Sequence, residues 1–597
     1  MNIKERISAL KKLMDEKGID AYIIPSSDYH QSEYVGDYFK CRKFISGFTG
    51  SAGTVVVTKE EAGLWTDGRY FIQAAKELEG TGVTLFKMGE ENVPTYEQYI
   101  YNSLKENSVV GFDGRVVSAY DGLTLEKELS SKNMKIKYDC DLIGDVWKDR
   151  PSMSDAKAFK LDLKYAGVST GDKITILRDK MKKQGATMNI IASLDDIAWL
   201  FNIRGGDVQF NPVVLSYTVV TLNETYLFID KAKLNDEILS DLEKEKVILK
   251  DYFGIYDFVK AIDEKEKVIL FTTKINYSIY NDIPEKVEKI DDINPTTYMK
   301  SRKNEIEIEN LKNCHVKDGV AFTKFMYWLK KNIEKEEITE LSASEKLAEL
   351  RKEQEGFLDL SFGTIAGYKD HAAMMHYSAT KESDVKLEPE HLFLIDSGGQ
   401  YCDGTTDITR TIALGNLTEE LKKHFTTVLR SMISLSRAKF LYGARGYNLD
   451  ILARNPIWQL GIDYKCGSGH GVGFLLNVHE GPMGFRWEKV IGKLDYEQIE
   501  EGNVITNEPG IYIEGSHGIR IENELVVKKD EKNEFGQFMS FEAITYAPID
   551  LDAVNVDLLT YEEKAYLNSY HKLVFEKIAS HLTEEEKEWL KEYTREI

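Results

Sequence analysis

Asp396 closes the apolar run His391-Leu392-Phe393-Leu394-Ile395-Asp396, and Asp407 follows eleven residues later in Asp403-Gly404-Thr405-Thr406-Asp407-Ile408-Thr409-Arg410-Thr411. Two adjacent strands joined by a Gly turn can point both carboxylates into one site. His470 stands among glycines in Gly467-Ser468-Gly469-His470-Gly471-Val472-Gly473, where the backbone can approach a ligand closely. Glu508 follows the apolar Val504-Ile505 in Thr506-Asn507-Glu508-Pro509-Gly510. In Gly518-Ile519-Arg520-Ile521-Glu522-Asn523-Glu524 the alternation puts Ile519 and Ile521 on one face and Arg520, Glu522 and Glu524 on the other. Taken singly, each has a plain structural reading: Asp beside Gly marks a turn, and an alternating charged face is a solvated strand. Gathered in a partly dry site, four carboxylates would raise one another's pKa unless cations compensate them. Two divalent ions balance Asp396, Asp407, Glu508 and Glu522, with His470 as a neutral fifth ligand. A metal pair about 3.5–4 Å apart, bridged by carboxylates and a hydroxide, is a device for hydrolysis at neutral pH. Oxygen-rich ligands with one imidazole favour Mn²⁺, with Co²⁺ and Zn²⁺ as alternatives.

The rest of the chain must position these groups. At 597 residues it holds three or four cores at roughly 150 residues per domain. A helix over Glu5–Lys17, a Gly and a strand over Asp20–Ile24 lead to Phe44-Ile45-Ser46-Gly47-Phe48-Thr49-Gly50. A helix over Thr170–Gln184, a Gly and a strand over Met188–Ala192 lead to the segment from Asp196 to Gly205. Helix, strand and an aromatic, Gly-containing segment thus occur twice, which predicts a duplicated α/β domain. Boundaries fall near residue 155 and near residue 302, before a long helix from Asn304 with Glu305, Glu307 and Glu309 in its early turns. The expected domains are therefore 1–155, 156–302 and 303–597, the last with ten of the eleven histidines.

Charge and composition remove other classes. Lys and Arg number 77 against 99 Asp and Glu, and the net charge of −22 disfavours nucleic acid and acidic membrane surfaces as partners. The five cysteines are scattered without a CxxC pair, so a reducing compartment fits best. The first residues read as an amphipathic core helix rather than a signal peptide, and no run approaches a membrane span. A cytoplasmic protein without a membrane segment is expected.

The ordered set Asp396, Asp407, His470, Glu508, Glu522 closely resembles that of the pita-bread metallopeptidases, the family containing methionine aminopeptidase, prolidase and aminopeptidase P. His30-Gln-Ser-Glu-Tyr34, Ser46-Gly47-Phe48 with Gly50-Ser51-Ala52-Gly53, Trp65-Thr66-Asp67-Gly68-Arg69-Tyr70-Phe71, and Ile197–Gly205 with Asn211-Pro212-Val213 extend the resemblance over essentially the whole chain, to the three-domain cytosolic aminopeptidases P.

This resemblance implies two related N-terminal α/β domains of creatinase type, a C-terminal pita-bread catalytic domain, and a homodimer. The implied activity is removal of an N-terminal residue from peptides with proline second, by a hydroxide bridging two divalent metal ions. Asp396 would bind one ion bidentately, Asp407 and Glu522 would bridge both, and His470 with Glu508 would complete the other. Glu508 would also accept the water proton and pass it to the leaving proline nitrogen. His376, in Met374-Met375-His376-Tyr377, and His479, in Asn477-Val478-His479-Glu480, match histidines that contact substrate carbonyls. Arg520 would pair with a ligand carboxylate, and His371, His315 and His424 read as structural. Four residues before His470 the family pattern has a histidine and this chain has Cys466. That leaves any role of the missing histidine open, and Cys466 is expected to be a neutral thiol outside the ligand set. A prolidase, usually with one N-terminal domain, and a non-catalytic pita-bread binding protein are the rival readings.

Overall fold

The start of the chain folds as the helix Ile3–Lys17, capped by Asn2, whose side chain accepts from the Glu5 amide while Glu5 accepts from the Asn2 amide. Ile7, Leu10 and Met14 turn inward, and Gly18 stops the helix at φ 68°. The computed structural model describes residues 1–489 and 496–597. It divides into two units, Met1–Leu161 with Val168–Thr296, and Asp162–Gly167 with Thr297–Ile597.

The first unit holds two six-stranded sheets. One runs Val83–Lys87, Ala62–Thr66, Thr54–Thr58, Ala21–Pro25, Val109–Gly111, Lys135–Lys137 in spatial order. The other runs Val247–Lys250, Thr225–Ile229, Ser216–Thr221, Met188–Ile191, Lys267–Leu270, Glu288–Asp291. In both, successive neighbours are parallel, antiparallel, antiparallel, parallel and parallel. Shared order and shared directions go beyond a common helix–strand start, as duplication requires. His30 links the repeats: one ring nitrogen lies 2.9 Å from the Ala192 carbonyl and the other 2.7 Å from the Tyr252 hydroxyl.

The second unit opens with the helix Glu305–Asn332, whose cap Asn304 forms a full capping box with Glu307. The short helix Leu163–Ala166 belongs here because the Asn304 and Asn310 side chains donate to the Ala166 and Lys164 carbonyls. Two of its antiparallel sheets carry the candidate site. Three strands, Ile365–Tyr368, Leu392–Ser397 and Ile408–Ala413, form one. The other orders Phe440–Leu441, Gly536–Ala543, Asn523–Asn533, Val504–Asn507, Gly469–Gly471 and Glu480–Phe485. Phe393 and Ile395 pack with Phe322 and Phe325 of the opening helix, so Asp396 projects from the opposite face of its strand. Ile519 and Ile521 join the core around Phe425 and Met432 of the helix Glu419–Ser436.

Candidate metal centre

Each ligand candidate sits in a short strand, near the end of a strand or directly beside one. Asp396 lies in Leu392–Ser397 opposite Thr409, and Asp407 immediately precedes Ile408–Ala413. The expected hairpin is present, with the small strands Gly399–Tyr401 and Gly404–Thr405 at its turn. His470, Glu508 and Glu522 come from, or directly adjoin, three neighbouring strands of the second sheet. One oxygen of Asp407, one of Glu522 and one nitrogen of His470 lie within 4.8 Å of one another. His470 Nε2 is 3.4 Å from Asp407 Oδ2 and 3.4 Å from Glu508 Oε1.

Two local features have a physical cause in the fold. Glycines beside His470 serve strand–strand approach: a Cβ on Gly469 would come within 1.9 Å of the Thr506 carbonyl oxygen, and one on Gly471 within 2.3 Å of that of Glu480. The stretch around Glu522 is no solvated strand face. It breaks between His517–Arg520 and Asn523–Asn533, where the Glu522 amide donates to the Thr409 carbonyl at 3.1 Å. Arg520, Glu522 and Glu524 are all buried, because their face meets the other ligand strands instead of water.

Hydrogen bonds set the donor atoms. His470 Nδ1 donates to the Gly471 carbonyl at 2.9 Å, so Nε2, which faces the carboxylates, is the ring nitrogen available to a metal. The His470 amide donates to Thr506 Oγ1, whose hydroxyl donates to Glu508 Oε1 at 3.1 Å. Thr409 donates to Glu522 Oε2 at 2.7 Å, and the Asp407 amide donates to Glu524 Oε1 at 2.7 Å. Thr409 and Thr506 escaped the sequence reading, which puts Glu524 on the face of Glu522 without a role. The one available signal was period two, which puts Thr409 on the face of Asp407 and Glu524 on that of Glu522.

The electrostatics ask for cations. Burial, then repulsion from Asp396 and Glu508, pushes the Asp407 carboxyl well above its ordinary range. Glu522 is raised by burial and then by Asp407 and Glu508. Asp396 Oδ1 is buried with no hydrogen-bond partner among the described residues. A buried acceptor without a donor, crowded carboxylates and an imidazole lone pair together fit a pair of divalent ions. Arg520 supplies part of the compensation. Its Nη2 donates to Asp396 Oδ2 at 2.6 Å and its Nη1 to the Tyr512 hydroxyl at 2.6 Å. Although burial opposes its charge, Tyr512, Asp396 and Glu508 hold it firmly protonated.

His479 is half-buried with its ring edge-on to His470, centroids 4.4 Å apart. His376 lies half-buried in the turn after the short helix Lys369–Ala373, next to Met375, whose carbonyl is 3.5 Å from Arg520 Nη2. His371 Nδ1 contacts Glu340 at 3.0 Å, and His424 pairs with His517 at 2.9 Å. Burial pushes the Cys466 thiol up to about 11.

Known proteins match the chain along its length. Residues 6–138 and 149–307 each match the creatinase/prolidase N-terminal domain, 309–529 match metallopeptidase family M24, and 537–597 match the C-terminal region of that peptidase family. A probable Xaa-Pro aminopeptidase P of Paracoccidioides brasiliensis is 38% identical, with all of both chains covered. One of Coccidioides posadasii is 39% identical, again over all of both chains. The crystal structure of X-prolyl aminopeptidase from Caenorhabditis elegans, described as a cytosolic enzyme with a di-nuclear active site, superposes with a TM-score of 0.95 at 35% identity, covering all of both chains. With relatives matched end to end and the catalytic family matched across every ligand candidate, the chain belongs to metallopeptidase family M24.

Proposed function

We propose that Asp396, Asp407, His470, Glu508 and Glu522 hold two divalent ions and that the chain acts there as an Xaa-Pro aminopeptidase, releasing the first residue of peptides with proline second. The observation that carries this is the convergence of Asp407, His470 and Glu522 within 4.8 Å in a buried, carboxylate-crowded site. Bound ions lower the pKa of the attacking water into the neutral range and neutralise the carboxylates.

Glu508 is half-buried beside His470 and Thr506, placed to take the water proton and deliver it to the leaving nitrogen. That proline nitrogen carries no N–H in the peptide and departs only once protonated. His479, against His470, and His376, in the turn near Arg520, offer N–H donors to the carbonyl oxygen as charge develops on it. Arg520 keeps Asp396 oriented. Asp396, Asp407, Glu522, His470 and Glu508 would supply the donors that hold the ions, as the family resemblance implies.

Manganese is the proposed metal, on the oxygen-rich donor set. The proposed domains are 1–155, 156–302 and 303–597. Homodimerisation rests on the family resemblance, and a cytoplasmic location also on the C. elegans enzyme described as cytosolic. Among the described residues no helix is long and apolar enough to cross a membrane.

Metal analysis combined with hydrolysis of an Xaa-Pro-Xaa tripeptide tests the reading. Two ions per chain and release of the first residue are expected. Turnover of Xaa-Pro dipeptides alone would make the chain a prolidase, and metal-free, inactive protein would make it a binding protein.

A further inference from the structure

The segment leading into the helix Glu305–Asn332 carries two lysines with buried ammonium groups. Lys303 Nζ donates to the Val472 carbonyl at 2.6 Å and to the Glu480 carboxylate, while Lys300 Nζ donates to Glu480 Oε2 at 2.6 Å. The Lys303 and Glu480 side chains are 0% and 1% exposed.

The positions of the two acceptors give this cluster its meaning. Val472 is two residues past His470, and Glu480 is the residue after His479. Gly471 pairs with Glu480 across a register shift in the ladder of Gly469–Gly471 with Glu480–Phe485. Such an irregularity leaves part of the ladder unpaired, so backbone hydrogen bonds define the spacing less tightly there. Lys303 spans that place and ties the strand end after one histidine to the strand start after the other. The lysine is itself anchored: its amide donates to the Gly502 carbonyl at 2.9 Å, and Asn503 Nδ2 donates to the Ser301 carbonyl at 2.9 Å.

We propose that Lys303 and Glu480 are positioning residues for the reaction, acting as one clamp that sets the edge-on placement of His479 against His470. The inference rests on the reading that His470 and His479 belong to the reacting centre. A buried ion pair is a weak device for stability, since well-packed apolar replacements often serve as well. It is a strong device for geometry, and a misplacement of about 1 Å can cost about 100-fold in rate.

The test uses Glu480→Gln, which keeps shape and one acceptor, Lys303→Met, their double variant, and His479→Ala as reference. Each full-length chain is loaded with Mn²⁺ and assayed on an Xaa-Pro-Xaa tripeptide, with metal content and melting temperature measured alongside. Both single variants are expected to keep two ions and to lose about 10- to 100-fold in kcat with KM little changed. The double variant should lose no more than the worse single, the signature of a coupled pair. Parental kcat per metal-loaded chain in the single variants overturns the clamp, whatever the melting temperature does. So does a double loss equal to the product of the two single losses. Should Lys303→Met fail to fold, Glu480→Gln alone decides. Parental kcat in His479→Ala overturns instead the placement of His479 at the reacting centre.

Discussion

Arg520 and Asp396, 124 residues apart in sequence, meet through Nη2 and Oδ2 at 2.6 Å, with both residues buried. The same guanidinium donates through Nε to Thr409 at 3.1 Å, and Thr409 donates on to Glu522. One cation thus orients two ligand carboxylates. Arg520→Ala should weaken metal binding about 10- to 100-fold. Titration of the metal-free protein with Mn²⁺ measures it, and unchanged affinity would remove Arg520 from the site's support.

Chelation should abolish activity, and Mn²⁺ should restore it better than Co²⁺ or Zn²⁺. Asp407→Ala should lose the ion pair and at least about 1,000-fold in kcat, because the water then keeps a pKa far above neutrality. Full activity in that variant sinks the metal assignment.

Replacing the second-position proline of a tripeptide substrate by alanine should lower kcat/KM by about 100-fold or more, as expected of a site whose binding energy is realised only with the proline ring in place. Competition between the two peptides in one assay reads the ratio directly, and equal rates would contradict Xaa-Pro specificity.

Cys466→Ala should retain both ions and most activity. Burial pushes the thiol up to about 11, and a soft sulfur donor is a poor match for a hard, oxygen-bound ion. Loss of metal from folded Cys466→Ala protein would put the cysteine among the ligands.

His517 should make the protein acid-sensitive. Burial, with His424 and His391 nearby, pushes it down to about 4, and His424 is lowered by its own burial, with Glu420 and Lys423 facing it. The unfolded chain therefore binds more protons between an unperturbed histidine pKa of about 6.5 and the folded value. This contribution is intact above that window and is lost as pH falls through it, on the order of 2 kcal/mol once partial solvent screening is allowed for. Denaturation of His517→Gln across the window should show a shallower decline than the parent, and an identical slope would refute the assignment.

The five ligand candidates and the duplicated α/β start were legible because each is a local signal. Apolar runs end in carboxylates, glycines bracket His470, and a helix–Gly–strand pattern returns after about one domain length. The alternation at Ile519 and Ile521 also marked the correct inward face. The break at Glu522, the assignment of Leu163–Ala166 to the second unit, and the burial of Glu524 were not legible, since each depends on a partner strand or helix far away in sequence.

The sequence alone determined which groups could hold metal, since donor type and charge balance need no coordinates. How those groups are held depends on contacts that form only once the chain has folded. Arg520 reaches Asp396, Thr409 bridges Arg520 to Glu522, and Lys303 joins the segments of His470 and His479. Such hydrogen bonds form between groups whose separation in space is set by sheet register and packing, and no spacing along the chain encodes that separation.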